Sequence, residues 1–229
     1  MRVYHFRWVP EAQRLRLALA GKGIEWEDHP LDYQDDATFF ELGIARRVPA
    51  LQIGADSGPL TDVNEILWRI DEWFPDTPPL VTGRLAEDAW RALLDWRSRA
   101  DAILQRLYAP LAPAWRGLGD DPAALAAYRS EVEGRFGASL EALANDRYAG
   151  YAQFARMSRL PQLAAMLARE RFYAGRPSIA DAVLCADLFP LQFLDGVALP
   201  IDLLYYLERV TESFGLDLRQ GLLSGETGP

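Results

Sequence analysis

Apolar positions along the chain follow two regimes, and the change comes near residue 75. Before it, short strand-like stretches alternate with helical ones. Val3 to Phe6 reads as a strand, and Pro10 then suits the first turn of a helix. That helix carries Leu15, Leu17, Ala18 and Leu19 before the stop signal Lys22-Gly23. Ile24 to His29 begins with the alternation of apolar and charged residues expected of a half-buried strand. Thr38 to Leu42 predicts a short helix. Val48 to Ile53 and a weaker Gly58-Pro59-Leu60 flank the turn Gly54-Ala55-Asp56-Ser57, a hairpin signal. Ile66, Leu67, Ile70 and Phe74 then recur at helical spacing, so the predicted order is β-α-β-α-β-β-α.

Pro75-Asp76-Thr77-Pro78-Pro79 ends that helix and reads as a linker. Beyond Gly83 the pattern is almost wholly helical. Residues 84 to 108 place Leu85, Ala89, Leu93, Trp96, Ala100, Ile103, Leu104 and Leu107 on one broad face. Asp121-Pro122 supplies a cap and a first-turn proline for a helix running to about Ala144. Pro161 to Arg171, a segment opened by Ser178, and Ile201 to Phe214 are further helices. The stretch Arg147 to Arg169 fits either an extra helix or one long helix broken at Pro161. The tail after Gly221 reads as loose. The expected organisation is a small α/β domain over residues 1–76, a linker over 77–83 and an all-helical domain over 84–229.

Composition narrows the class. A chain of 229 residues, half apolar and a quarter charged, is ordinary for a globular protein with a sizeable core. No apolar run approaches the roughly 20 residues that span a bilayer. The start Met1-Arg2-Val3-Tyr4-His5-Phe6 reads as a strand rather than a signal peptide, so a cytoplasmic location with no membrane partner is expected. The net charge of −9, from 33 acidic and 24 basic residues, argues against nucleic acid, whose binding requires phosphate neutralisation. Lys22 is the only lysine, a bias read as codon usage. Cys185 stands alone, which excludes an internal disulfide, a four-cysteine zinc site and a Cys-x-x-Cys pair. With only His5 and His29 besides, no metal site is expected.

Two distant segments carry the strongest signal. Arg46-Arg47-Val48-Pro49-Ala50-Leu51 has a Val-Pro step opening an apolar strand, followed about a dozen residues on by Leu60-Thr61-Asp62. Arg176-Pro177-Ser178-Ile179-Ala180-Asp181 has the serine and acid spacing of a capping box. In this order they resemble the cytosolic glutathione transferase family, along nearly the whole chain. The resemblance implies a thioredoxin-like α/β domain followed by an all-α helical domain, glutathione as co-substrate and a two-fold homodimer.

It also implies roles residue by residue. Val48-Pro49 matches the family's cis-proline step, whose preceding residue pairs with the cysteinyl part of glutathione, and Arg47 stands beside it. Asp62 matches the acid that meets the γ-glutamyl amine, a role compatible with capping a helix. Val63 stands where the family has a serine that holds the γ-glutamyl carboxylate. A hydrogen bond to a charged group contributes about 1.5–3 kcal/mol, so this change alone weakens binding by about 10- to 100-fold. Val9 directly precedes Pro10, where serine- and cysteine-type members carry the hydroxyl or thiol. A valine neither donates nor attacks, so cysteine-dependent thiol transfer and dehydroascorbate reduction are not expected. Thiol activation then falls to a backbone amide, the dipole of the first helix, Tyr4 or Arg7. Tyr4 equally fits a packing role between sheet and helix.

A lysine common near Asp35 in the family is absent from Gln34-Asp35-Asp36, and Arg46 or Arg47 could replace it unless both are solvated. Trp96, Arg99, Tyr108 and Trp115 are candidates for the wall of a substrate pocket, though aromatics at helical spacing also fit a core. Ser178 and Asp181 are assigned to folding, and Cys185 to a buried thiol. The expected activity is transfer of glutathione's thiol to a small apolar electrophile, by conjugation or exchange, in detoxification. The alternative is a non-catalytic binding or regulatory protein on the same fold, which the loss of polar groups at Val9 and Val63 favours.

Overall fold

The computed structural model describes residues 1–54 and 57–223; the turn expected at Ala55-Asp56 and the tail from residue 224 lie outside the described residues. The sheet has the order β2-β1-β3. Strand β1 (Arg2–His5) lies centrally, parallel to β2 (Glu27–Pro30) and antiparallel to β3 (Ala50–Gln52). The fourth strand shrinks to one bridge between Leu51 and Leu60, closed by two 2.8 Å backbone bonds. Pro59, which lacks an N–H, stands directly before it. β2 begins at Glu27 rather than Ile24, because the Ile24 amide turns back to the Leu19 carbonyl at 3.0 Å. Gly23, at φ 66°, permits that reversal.

Helix α1 (Pro10–Gly21) runs behind the sheet with Arg14 and Arg16 buried among Leu15, Leu17, Ala18 and Leu19. Helix α2 (Asp36–Leu42) is capped by Asp35, whose carboxylate accepts from the Thr38 amide at 3.0 Å. The segment predicted as one helix through Phe74 turns at Arg69 (φ −97°, ψ 5°) into α3 (Val63–Trp68) and α4 (Ile70–Trp73). The Arg69 guanidinium spans the break, to Glu65 at 3.4 Å and Glu72 at 3.0 Å.

The remainder is helical. Helix α5 (Glu87–Tyr108) is followed by α6 (Pro122–Phe136) and α7 (Leu140–Asn145), where the apolar pattern predicts a single helix to about Ala144. Gly137 takes the left-handed conformation (φ 64°) that ends α6, and the Ser139 hydroxyl caps α7 by accepting from the Ala142 amide. The stretch from Arg147 forms two helices, α8 (Arg147–Met157) and α9 (Leu160–Glu170), with Pro161 in the first turn of the second. Helix α10 (Ile179–Leu188) is buried along its whole length, and α11 (Ile201–Phe214) packs against it. Ser178 and Asp181 form the capping box that their spacing predicts. The Asp181 carboxylate also accepts from the Tyr173 amide and the Tyr206 hydroxyl. Cys185 is fully buried, and burial pushes its thiol well above the ordinary range.

The lone lysine has a structural task that composition does not reveal. Lys22 is 1% exposed, and its ammonium donates to Asp71 at 2.7 Å and to the Pro78 carbonyl at 3.1 Å. Asp71 on α4 in turn accepts from the amides of Leu80, Val81 and Thr82. The segment between α4 and α5 is thereby tied to the end of α1. Burial by itself would raise the Asp71 carboxyl, but the Lys22 ammonium and these amides overcome it and hold it to about 2. Because the folded value lies below the unfolded one, the clamp stabilises above about pH 4 and is lost as pH falls toward 2. Chemical denaturation across this window should show that loss, and Asp71→Asn should flatten the acid limb while lowering stability at neutral pH.

Candidate functional site

Two cavities adjoin where the sheet domain meets the helices, and both are lined by Glu11 and Val48. The first is a polar cleft of about 380 Å³ between α1, α3 and α5. It gathers Arg47, Val48, Asp62 and Val63 with Arg14 of α1 and Arg97 of α5. The second is an aromatic cavity of about 230 Å³, lined in part by Phe6, Trp8, Val9, Tyr33, Tyr108 and Tyr128.

The floor of the polar cleft is an ionic network. Asp187 of α10 is fully buried, and its Oδ1 accepts from Arg14 Nε at 3.0 Å and Nη2 at 2.5 Å. Arg97 Nε stands 3.1 Å from the other carboxylate oxygen. Arg97 also donates to Glu11 at 2.8 Å and pairs with Asp101 on its own helix. Burial pushes the Asp187 carboxyl up, and the Arg14 and Arg97 guanidiniums oppose it. The pairing holds both arginines beside the cleft, against the helices that carry them. Sequence reading passed over them. The available signal was a charged residue inside an apolar helical stripe: Arg14 beside Leu15, and Arg97 between Leu93 and Ala100.

Asp62 is exposed at the start of α3, and its carboxylate caps the helix by accepting from the Asn64 and Glu65 amides at 3.0 and 3.1 Å. Val63 is buried with its side chain in the core. The Val48-Pro49 bond is cis, and Pro49 is buried behind the cleft. The backbone N–H and C=O of Val48 have no partner among the described residues.

The aromatic cavity is closed by contacts between distant segments. Trp8 stacks on Phe6 with ring centroids 4.9 Å apart. The Tyr33 hydroxyl donates to Glu131 of α6, and Tyr128 meets the Tyr33 ring edge-on at 5.4 Å. Burial, followed by that bond to Glu131, raises the Tyr33 phenol to about 12, so it remains a donor at neutral pH. The Arg46 guanidinium lies 4.4 Å from the Tyr33 ring centroid and pairs with Asp36 and Glu131. The two adjacent arginines therefore part: Arg46 goes to the aromatic cavity and Arg47 to the polar cleft.

The other expected residues are placed as follows. Val9 lines the aromatic cavity just before the amide end of α1. Tyr4 is buried, stacked on His29 at 4.9 Å, and lines neither cavity. Arg7 lines a separate cavity. Tyr108 does line the aromatic one, with its hydroxyl committed to the Asp187 carbonyl at 2.6 Å. Trp96 packs on Phe154 of α8, away from the cleft. Arg99 is exposed and stands about 200° around α5 from Arg97. Trp115 is buried against Phe193, and neither it nor Arg99 lines either cavity.

Residues 8–73 match the family model described as the glutathione S-transferase N-terminal domain. A curated relative, the "Probable glutathione S-transferase GSTU1" of Oryza sativa subsp. indica, is 31% identical over 130 residues. That stretch is 55% of this chain, and the chain spans about half the length of the curated relatives it matches. Among solved structures, glutaredoxin 2 of Salmonella typhimurium, crystallised with glutathione, superposes with a TM-score of 0.77 at 21% identity, over 95% of each chain. Glutathione transferase GSTFuA3 of Phanerochaete chrysosporium gives a TM-score of 0.68 at 17% identity, covering 94% of this chain and 97% of that one. A thioredoxin-like domain followed by a helical remainder is thus the shared fold. Residues 8–73 are similar to the glutathione S-transferase N-terminal domain, and the fold of the whole chain is that of the glutathione transferases.

Asp187→Ala leaves two buried guanidiniums without their shared counter-ion. It should lower unfolding free energy by about 3–5 kcal/mol in urea melts. A loss below about 1 kcal/mol, the size of an exposed pair, would show that the network does not hold the cleft together.

Proposed function

We propose that the chain is a cytoplasmic glutathione transferase that joins glutathione's sulfur to a small apolar electrophile, without a covalent enzyme intermediate. The observation that supports it is the meeting of a polar cleft and an aromatic cavity at Val48. Glutathione is an extended tripeptide with two carboxylates, one ammonium and a thiol. Asp62 suits the ammonium, and Arg14, Arg47 and Arg97 suit the carboxylates. The unpartnered backbone of Val48 suits a strand-like main chain. In this reading residues 1–76 supply most glutathione contacts, 77–83 join the domains, and 84–229 complete the wall for the electrophile.

The reaction is a direct displacement or addition. The thiol proton leaves to solvent and the sulfur electron pair forms the carbon–sulfur bond; in displacement the leaving group departs with its bonding pair, and in addition the displaced π pair takes up a proton from solvent. Phe6, Trp8 and Tyr33 offer an apolar surface for the electrophile, and binding both reactants side by side supplies the orientation. Val9 gives the thiolate nothing, and Tyr4 and Arg7 stand outside both cavities. The amide end of α1 is therefore the group assigned to favour the thiolate.

Val9 also supports a second reading, a protein that binds without turnover. Calorimetric titration with glutathione, paired with consumption of a model electrophile, separates the two. Asp62→Asn keeps a capping oxygen but removes the charge, and it should weaken glutathione by about 10-fold with the fold intact. Unchanged affinity would move the site elsewhere. Val9→Ser restores a hydroxyl beside the α1 terminus and should raise kcat/KM by about 10-fold; no gain would indicate that sulfur does not lie near residue 9. A homodimer rests on the resemblance alone, and sedimentation at the mass of one chain would remove it.

A further inference from the structure

Behind the loop that carries Trp8 and Val9 lies a third cavity, of about 400 Å³, separate from the two above. Its walls are β1, α1, β2, the Trp115–Gly117 turn and the C-terminal segment around Gly221. That segment is pinned over it. The Arg116 amide donates to the Gly221 carbonyl at 2.8 Å, the Leu223 amide donates to the Ala114 carbonyl at 2.8 Å, and Trp115 bridges Leu222. Gly221 sits at φ 81°, and a Cβ there would run into the Arg7 side chain, so only glycine allows this closure.

The lining is cationic in a chain whose net charge is −9. Arg7, Arg16 and Arg116 all line the cavity, and Asp28 is the only acid among its described lining residues. Asp28 is already saturated: Arg16 donates to it twice at 3.0 Å, and His5 and Trp26 contact it at 3.1 Å. Burial would raise its carboxyl, but the His5 and Arg16 contacts hold it well below the usual range. Arg16 is therefore neutralised in place, and its remaining donors go to Gln13 and Gln220 at 2.8 Å. The guanidiniums of Arg7 and Arg116 have no acceptor among the described residues. His5, fully buried in the same wall, has an Nδ1 without a partner among the described residues. Among the described residues, two guanidinium charges thus remain uncompensated around one cavity.

We propose that this cavity binds a phosphate dianion, free or as a monoester, with Arg7 and Arg116 as its charged donors. A phosphate near neutral pH carries about −1.5 to −2 charge and several strong acceptor oxygens, matching two planar guanidiniums that each donate in pairs. The site is independent of glutathione. It is joined to the loop before α1 because Gln13, which accepts from Arg16, also donates to the Arg7 carbonyl at 2.6 Å.

The test is titration calorimetry of the full chain with inorganic phosphate and, separately, glycerol phosphate at constant ionic strength. One saturable site is expected, weakened about 10- to 100-fold in Arg116→Gln and in Arg7→Gln. Melting temperatures without phosphate should be unchanged, since neither guanidinium makes a hydrogen bond in the described structure. Tighter binding of the ester identifies a monoester as the natural ligand, and equal binding identifies free phosphate. Asp62→Asn, which disturbs the glutathione site, should leave phosphate affinity as it was, so failure of one site does not imply failure of the other. Absence of saturation with both phosphates overturns the proposal. So does saturable binding that survives both arginine variants, or that is lost in Arg47→Gln instead, which would move the anion to the polar cleft.

Discussion

A carboxylate held in a helix with no access to water governs the architecture between the domains. Asp187 lies on α10, a helix buried along its whole length, and a lone charge there would be prohibitively costly. Two guanidiniums answer it, Arg14 from α1 and Arg97 from α5. Each reaches inward between apolar neighbours, Leu15, Leu17 and Ala18 on α1 and Leu93 and Ala100 on α5. The helices are thereby fixed in register with one another, and the far sides of the same arginines become the wall of a polar cleft. Packing alone would tolerate small slips among leucines; two directional bonds from Arg14 and a 3.1 Å ion pair from Arg97 to one carboxylate tolerate them less.

The same logic of pairing across segments shapes the aromatic cavity. Tyr33 belongs to the loop before α2 and Glu131 to α6, and the bond between them joins two of the segments that line the cavity. Arg46 stacks on that phenol and completes the pairing with Glu131. The cavity is consequently a property of both domains at once. One lining position is Val9, directly before Pro10, where the side chain offers neither a hydroxyl nor a thiol to the cavity. Arg7 and Arg116 line a different space, which separates the cationic character of that loop from the aromatic cavity.

The sequence by itself determined the local elements wherever punctuation was strong. Val-Pro before a strand, Ser-x-x-Asp before α10, Asp-Pro before α6 and Pro10 at the head of α1 each act on neighbouring backbone, and such short-range signals survive in any context. Those signals, in their order, were enough for the fold. Boundaries were missed where a periodic apolar face ran past a break. Gly137 and Ser139 split a predicted helix because a left-handed cap and a fresh hydroxyl cap outweigh continuity of pattern.

Only the tertiary structure decided which charged residues matter. Lys22, read as a trace of codon usage, closes the linker through Asp71, and Arg14 and Arg97 build the floor of the cleft. Trp96, Arg99 and Trp115 share residue types with the cavity but stand on other faces. The reason is physical: a side chain's role depends on what long-range packing brings opposite it, and partners as far apart as Arg14 and Asp187 leave no local mark on either neighbourhood. Periodicity reports which face is buried. It does not report which buried charge meets which.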